Sequence, residues 1–160
     1  MTTKQATPSS RMAPIYDPRT FEPRRGIGRL LGQVKMAIAS EVDQELAPFD
    51  ITSAQFVILT SLAESGPGPT SVLCQSVSYD QGAMTRMIDR LERKGLVRRA
   101  RCVDDRRRVN LELTAEGKAV YPKLIAAAVT VQNRMLQGFS KADVDQLESM
   151  LRKMLSNAGT

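Results

Sequence analysis

The chain has 160 residues, 23 Lys and Arg, 17 Asp and Glu, and no His. One domain, or one domain with an appendage, fits that length, and a net charge of +6 with a pI near 9.7 points to a polyanionic partner. The lack of His excludes imidazole acid–base and metal chemistry, two cysteines (Cys74 and Cys102) are too few for a disulfide framework or a Cys-only zinc site, and 4% aromatic residues leave few stacking platforms for single-stranded nucleic acid.

Met1 to Arg25 reads polar, with Pro8, Pro14, Pro18 and Pro23 and no signal-peptide core, so an extended or disordered arm is expected over 1–25. No apolar run approaches a membrane span, and a cytoplasmic protein without membrane contact is expected. Gly26 to Pro48 is a predicted helix, with Ile27, Leu31, Val34, Ile38, Val42 and Leu46 in one stripe. Thr52 or Ser53 caps a second helix to about Glu64, with Phe56, Leu59 and Leu62 inward. Ser65 to Pro69 reads as a loop, Thr70 to Val77 as a short third helix, and Ser78-Tyr79 as a tight turn.

Asp80 caps a fourth helix that runs to about Lys94 and is closed by Gly95. At 100° per residue, Met84, Met87, Ile88 and Leu91 share its back. Gly82, Arg86, Asp89 and Arg93 share its front, with Thr85 and Arg90 flanking. Leu96 to Cys102 and Val109 to Leu113 are strand-like, the second with a period of two. Between them Val103 to Arg108 forms a polar tip with Arg106, Arg107 and Arg108. Thr114 caps a fifth helix from Ala115 to about Phe139, carrying Val120, Leu124, Ala128, Val131 and Met135 in a stripe, with Pro122 expected to bend it or loosen a turn. Ser140 and Asp143 form a capping-box pattern for a last helix with Val144, Leu147, Leu151 and Met154 in line.

The charge is not spread evenly. Arg86 to Arg108 holds ten basic and four acidic residues, so this stretch carries the whole net excess of six. A short helix, a turn, an amphipathic basic helix and a basic hairpin together make a winged helix-turn-helix. A helix fits the major groove and reaches base edges, while an Arg-rich tip suits phosphates or the neighbouring minor groove.

Asp80 to Val97 (DQGAMTRMIDRLERKGLV) resembles the recognition helix of the MarR family of bacterial transcriptional regulators. Asp105-Arg106-Arg107, Val109 and Leu113-Thr114-Ala115-Glu116-Gly117 resemble that family's wing and wing exit. The resemblance covers about Gly26 to Leu155. It implies a mainly α fold with a small β-hairpin wing: a winged helix-turn-helix over about 51–114 within a domain spanning 26–158. The helices over about 26–48, 115–139 and 141–156 would be dimerisation helices. It also implies a homodimer, a palindromic double-stranded operator and a small-molecule effector, often a phenolic or other aromatic carboxylate. Asp80 and Arg107 match positions that pair to orient the wing.

The DNA-contacting candidates are therefore Gln81, Gly82, Thr85, Arg86, Asp89, Arg90, Arg93, Arg106, Arg107 and Arg108. An anionic effector needs a cation. Arg24, Arg25, Arg29 and Lys35 lie on or before the first helix, and Phe56 offers an apolar wall. Arg25, Arg29, Lys35 and Phe56 are the effector candidates. An enzyme is not expected, because no nucleophile elbow or Gly-rich phosphate loop is present, and no catalytic residue, cofactor or metal is assigned. The expected function is a DNA-binding repressor released by a small molecule. Two alternatives remain open at this point. One is a thiol-based sensor using Cys102, whose arginine neighbours lower a thiol pKa. The other is a nonspecific architectural DNA binder.

Overall fold

The structure, a computed structural model, describes residues 14–69, 80–101 and 109–159. By packing, the chain divides into Met1–Lys35 and Met36–Thr160, a division that falls inside the first helix.

In the first unit, residues 14–25, part of the stretch expected as an extended or disordered arm, contain turns. Thr20 and Phe21 N–H donate to the Asp17 carbonyl at 3.1 and 2.9 Å. Asp17 followed by Pro18 is a favoured start for such a turn, because proline presets φ and Asp bonds nearby backbone. The Asp17 carboxylate accepts from the Arg19 backbone N–H at 2.9 Å and from its guanidinium at 2.8 Å. Tyr16 and Phe21 meet edge to face with ring centroids 5.0 Å apart. Proline spacing alone does not reveal a turn that is closed by aromatic contact.

Helix α1 (Ile27–Leu46) begins in this unit and continues into the second. A 3-10 turn, Ala47–Phe49, ends it at Pro48, and Asp50 takes a left-handed φ of 54°. Of the expected stripe, Val42 and Leu46 are buried and Ile38 packs against the core, while Ile27 and Val34 stay exposed. Helix α2 (Ser53–Ser65) opens on a capping box. Thr52 Oγ1 accepts from Gln55 N at 3.3 Å, and Gln55 Oε1 accepts from Thr52 N at 3.2 Å. Ile58, Leu59 and Leu62 are buried, and Phe56 is half-buried against the core.

The expected loop holds a strand. β1 (Gly68–Pro69) pairs antiparallel with β3, Gly68 opposite Leu111 and Pro69 opposite Asn110. Two residues have no readable periodicity, and proline is tolerated on an edge because it has no ladder donor to lose. The predicted helix over 70–77, Cys74 and the Ser78-Tyr79 turn lie outside the described residues.

Helix α3 (Gln81–Arg93) is capped by Asp80, which accepts from Ala83 N at 2.9 Å. Its end is a Schellman motif: Leu96 N–H donates to Leu91 O at 3.0 Å and Gly95 N–H to Glu92 O at 2.9 Å. Gly95 sits at φ +70°, where a side chain would be strained. β2 (Val97–Arg101) and β3 (Val109–Leu113) pair antiparallel, with Val97 opposite Leu113 and Arg99 opposite Leu111. The sheet order is β1-β3-β2.

Helix α4 (Ala115–Met135) runs continuously through Pro122 and stops short of Phe139. Leu136 caps it, and Gly138, at φ +86°, turns the chain towards the next helix. Helix α5 (Lys141–Asn157) opens on the expected capping box. Ser140 Oγ accepts from Asp143 N at 3.2 Å, and Asp143 Oδ2 accepts from Ser140 N at 2.9 Å. The second unit's core joins Val42 and Leu46, Ile51, the inward faces of α2 and α3, Leu96, Val97 and Leu111, and Leu124 and Val131 of α4. No residue of α5 is buried in it.

Candidate nucleic-acid interface

Helix α3 is built to show one face. Met84, Ile88 and Leu91 are at most 2% exposed, and together they anchor the helix by several kcal/mol, at about 1.5–3 kcal/mol for each large apolar side chain. Gln81 is its first residue. Gly82, Thr85, Arg86, Arg90 and Arg93 are exposed. None of the described ion pairs involves Arg86, Arg90 or Arg93, and the acids nearest to them in sequence are paired elsewhere. A Cβ added at Gly82 would lie 3.2 Å from the capping oxygen of Asp80 and 3.7 Å from the Arg86 guanidinium. The tight approach is the one to Asp80, so glycine there spares the cap, whereas the distance to Arg86 is an ordinary contact.

Asp89, expected among the DNA contacts, has a partner within the protein. Its carboxylate faces β2 and takes Arg99 Nη2 at 2.6 Å. Glu92 one turn later takes Arg99 Nη1, and also accepts from the Arg99 backbone N–H at 3.2 Å. The bond from Asp89 is the main cause that holds the Arg99 guanidinium above its ordinary pKa. The helical wheel places Asp89 on the front. Only the position of β2 shows that its carboxylate is already engaged.

On the opposite flank, Arg90, Arg93 and Lys94 line a cleft of about 400 Å³ with Asp50, Thr52 and Gln55. Lys94 is committed there: its ammonium lies 3.0 Å from the Asp50 carboxylate and also donates to the Asp50 carbonyl. Across the sheet Arg98 pairs with Glu112, its direct neighbour in the ladder. Among the described residues, the basic surface of this flank and the helix front without an ionic partner is therefore Arg86, Arg90 and Arg93. Arg106, Arg107 and Arg108, the Asp80–Arg107 pair and Cys102 fall outside the described residues. Asp80 itself serves as the helix cap.

Among the effector candidates, Arg25 pairs with Glu22 at 3.2 Å, and Arg29 and Lys35 are exposed on the first part of α1. Phe56, in the second unit, packs its ring against the core. A further cleft, of about 390 Å³, lies between the end of α2, β3 and the start of α4, and none of the candidate residues lines it. Leu62, Pro67, Leu113, Lys118 and Tyr121 are among its walls. These residues are far apart in sequence and share no motif, so no local signal marks them. Among the described residues no single helix is long and apolar enough to cross a membrane.

A sequence model of the MarR family matches residues 51–109. The apo crystal structure of wild-type MarR from E. coli is similar at 32% identity over 81% of this chain and 96% of that one, with a TM-score of 0.72. A cysteine-to-serine mutant of that protein complexed with operator DNA matches at 32% identity over 80% of this chain and 92% of that one, with a TM-score of 0.73. BpsR of Bordetella bronchiseptica matches at 25% identity over 84% of this chain and 96% of that one, with a TM-score of 0.74, in a structure concerned with regulation of its DNA binding by 6-hydroxynicotinic acid.

Proposed function

The chain belongs to the MarR family of winged-helix DNA-binding regulators, and from that premise we propose that it is a homodimeric repressor that reads a pseudo-palindromic operator and is released by a small aromatic carboxylate. The observation that carries the reading is the front of α3. It is held rigidly by its buried back, and Arg86 and Arg93 stand on it without an acidic partner in the described ion pairs. An Arg in this setting is suited to the O6 and N7 of a guanine, a contact worth about 1–3 kcal/mol of discrimination. The related E. coli protein is known bound to operator DNA, which supports the same use of this helix here. We assign the wing arginines, Arg107 among them, to the phosphate backbone, where each would add about one unit to the salt dependence.

The related BpsR is regulated by 6-hydroxynicotinic acid, an aromatic ring bearing a carboxylate. An effector of that class suits a chain that presents exposed cations, Arg29 and Lys35, on α1. By linkage, an effector that weakens operator binding must itself be bound more weakly by the DNA complex, by the same factor.

Selection of duplexes from a random pool tests the reading. A pseudo-palindrome with half-site centres about 10 bp apart is expected, because the two recognition helices of a dimer enter successive major grooves on one face. Inserting five base pairs between half-sites should abolish tight binding, and undiminished affinity would refute two-fold groove reading. Arg86→Ala should recover a pool with relaxed preference at one position of each half-site. Adding 6-hydroxynicotinic acid and simple aromatic carboxylates to the complex then tests release.

A further inference from the structure

We propose that Arg99 is a positioning residue: it locks strand β2, and with it the wing, against the recognition helix by gripping Asp89 and Glu92, and in doing so it withdraws Asp89 from the DNA. Three contacts from one residue support this. The guanidinium reaches Asp89 Oδ1 at 2.6 Å and the Glu92 carboxylate with its other nitrogen, and the Arg99 backbone N–H donates to Glu92 Oε1 at 3.2 Å. Asp89 and Glu92 are three residues apart and so lie on one flank of α3. A planar guanidinium can hold two carboxylates at once, which a lysine cannot do in the same geometry.

The strand end of the clamp is firm as well. Arg99 stands opposite Leu111, which is fully buried, in a five-residue ladder. Fixing Arg99 therefore fixes β2 and β3 together. Residues 102–108, which join these two strands, carry Arg106, Arg107 and Arg108. The angle between α3 and the ladder sets where the strand ends that bear this basic segment, Arg101 and Val109, stand relative to α3. An exposed ion pair is ordinarily worth little to stability, so the expected consequence of the clamp is geometric. Its single positive charge also offsets one of the two negative charges beside a helix that must approach phosphates.

The inference rests on duplex binding by this fold. The test uses the full-length protein, the duplexes recovered from the random pool, and Arg99→Gln, Arg99→Lys, Asp89→Asn, Glu92→Gln and the Arg99→Gln/Asp89→Asn double variant. Each loss of a partner should weaken operator binding, Arg99→Gln and Asp89→Asn by about tenfold, and the double variant should be no worse than the poorer single, as for coupled contacting residues. Arg99→Lys should remain weak. Backbone amides of β2 and β3 should exchange faster in the same variants, with the thermal midpoint nearly unchanged.

The clamp is overturned if Asp89→Asn binds as tightly as the parent or more tightly while Arg99→Lys restores what Arg99→Gln loses, because Arg99 would then touch phosphate directly. It is also overturned if amide exchange is the same in all variants. The exchange measurement needs no DNA. Should the unmodified protein select no duplex, the failure would belong to the DNA-binding reading, and the clamp would still be judged.

Discussion

Gly117 explains the motif Leu113-Thr114-Ala115-Glu116-Gly117 in physical terms. A Cβ at this position would come within 2.0 Å of the Leu96 carbonyl oxygen, a backbone atom that cannot swing aside. The same corner is stitched by Thr114. Its hydroxyl donates to Gly95 O at 2.6 Å and accepts from Gly117 N at 3.0 Å, and its backbone N–H donates to Leu96 O at 3.1 Å. Thr caps α4, and Gly lets that helix press against the chain leaving the recognition helix. Gly117→Ala should therefore destabilise the protein by about 1–3 kcal/mol or more, as overpacking does. Gly28→Ala, in a helix with nothing within 4 Å of the added carbon, should be neutral or stabilising by up to about 1 kcal/mol. Urea unfolding of the two variants makes the comparison, and equal midpoints would show that the close approach at Gly117 is absent.

At the scale of elements, the helix starts were legible because capping is local. Of the expected caps, Thr52 rather than Ser53 caps α2, and Asp80, Thr114, and Ser140 with Asp143 cap as their spacing suggests. The Ser140 cap has a pH signature. Bonds from the Ser140 side chain and backbone hold the Asp143 carboxyl below its ordinary value of 3.8. A carboxyl depressed in the folded state stabilises above the unfolded value, and that stabilisation is lost as the pH falls through the lower folded value. The stability advantage of the parent over Asp143→Ala should thus be flat from about pH 7 to pH 5 and shrink below 3.8. Thermal unfolding of both proteins across that range checks it, and an advantage that persisted undiminished well below 3.8 would remove the role of the ionised cap. Helix ends and very short strands were less legible. α4 stops at Met135 with Leu136 as its cap and Gly138 left-handed beyond it, and β1 is defined only by its pairing with β3.

For the molecule as a whole, α5 is the element out of balance. None of its residues is buried, and Leu147, Met150, Met154 and Leu155 are each at least 40% exposed, as is Phe139 just before it. An amphipathic helix gains most of its stability by burying its apolar face, and among the described residues this one has little to bury it against. A second copy would supply that surface, in keeping with the proposed dimer. A chain shortened after Phe139 should associate weakly or aggregate, with a lower unfolding midpoint, in sedimentation equilibrium and thermal scans. A well-behaved dimer from that shortened chain, matching the intact one, would show that α5 is not needed for association.

The sequence by itself determined the properties that depend on neighbours along the chain. These are the helix caps, the apolar back of the recognition helix, the Schellman glycine Gly95, the β2–β3 hairpin and the concentration of positive charge from Arg86 to Arg108. Each follows from periodicity or from hydrogen bonds spanning a few residues, so the fold class and the family resemblance are legible in the residues alone. Tertiary structure decided which of the charged groups are available. Asp89 and Arg86 share a face on the helical wheel, yet one is held by Arg99 from β2 and the other has no described ionic partner. Lys94 belongs to the same basic run as Arg90 and Arg93, yet it is tied to Asp50. A periodicity describes one element alone, whereas the partners of a side chain are set by whichever distant strand or turn is packed beside it.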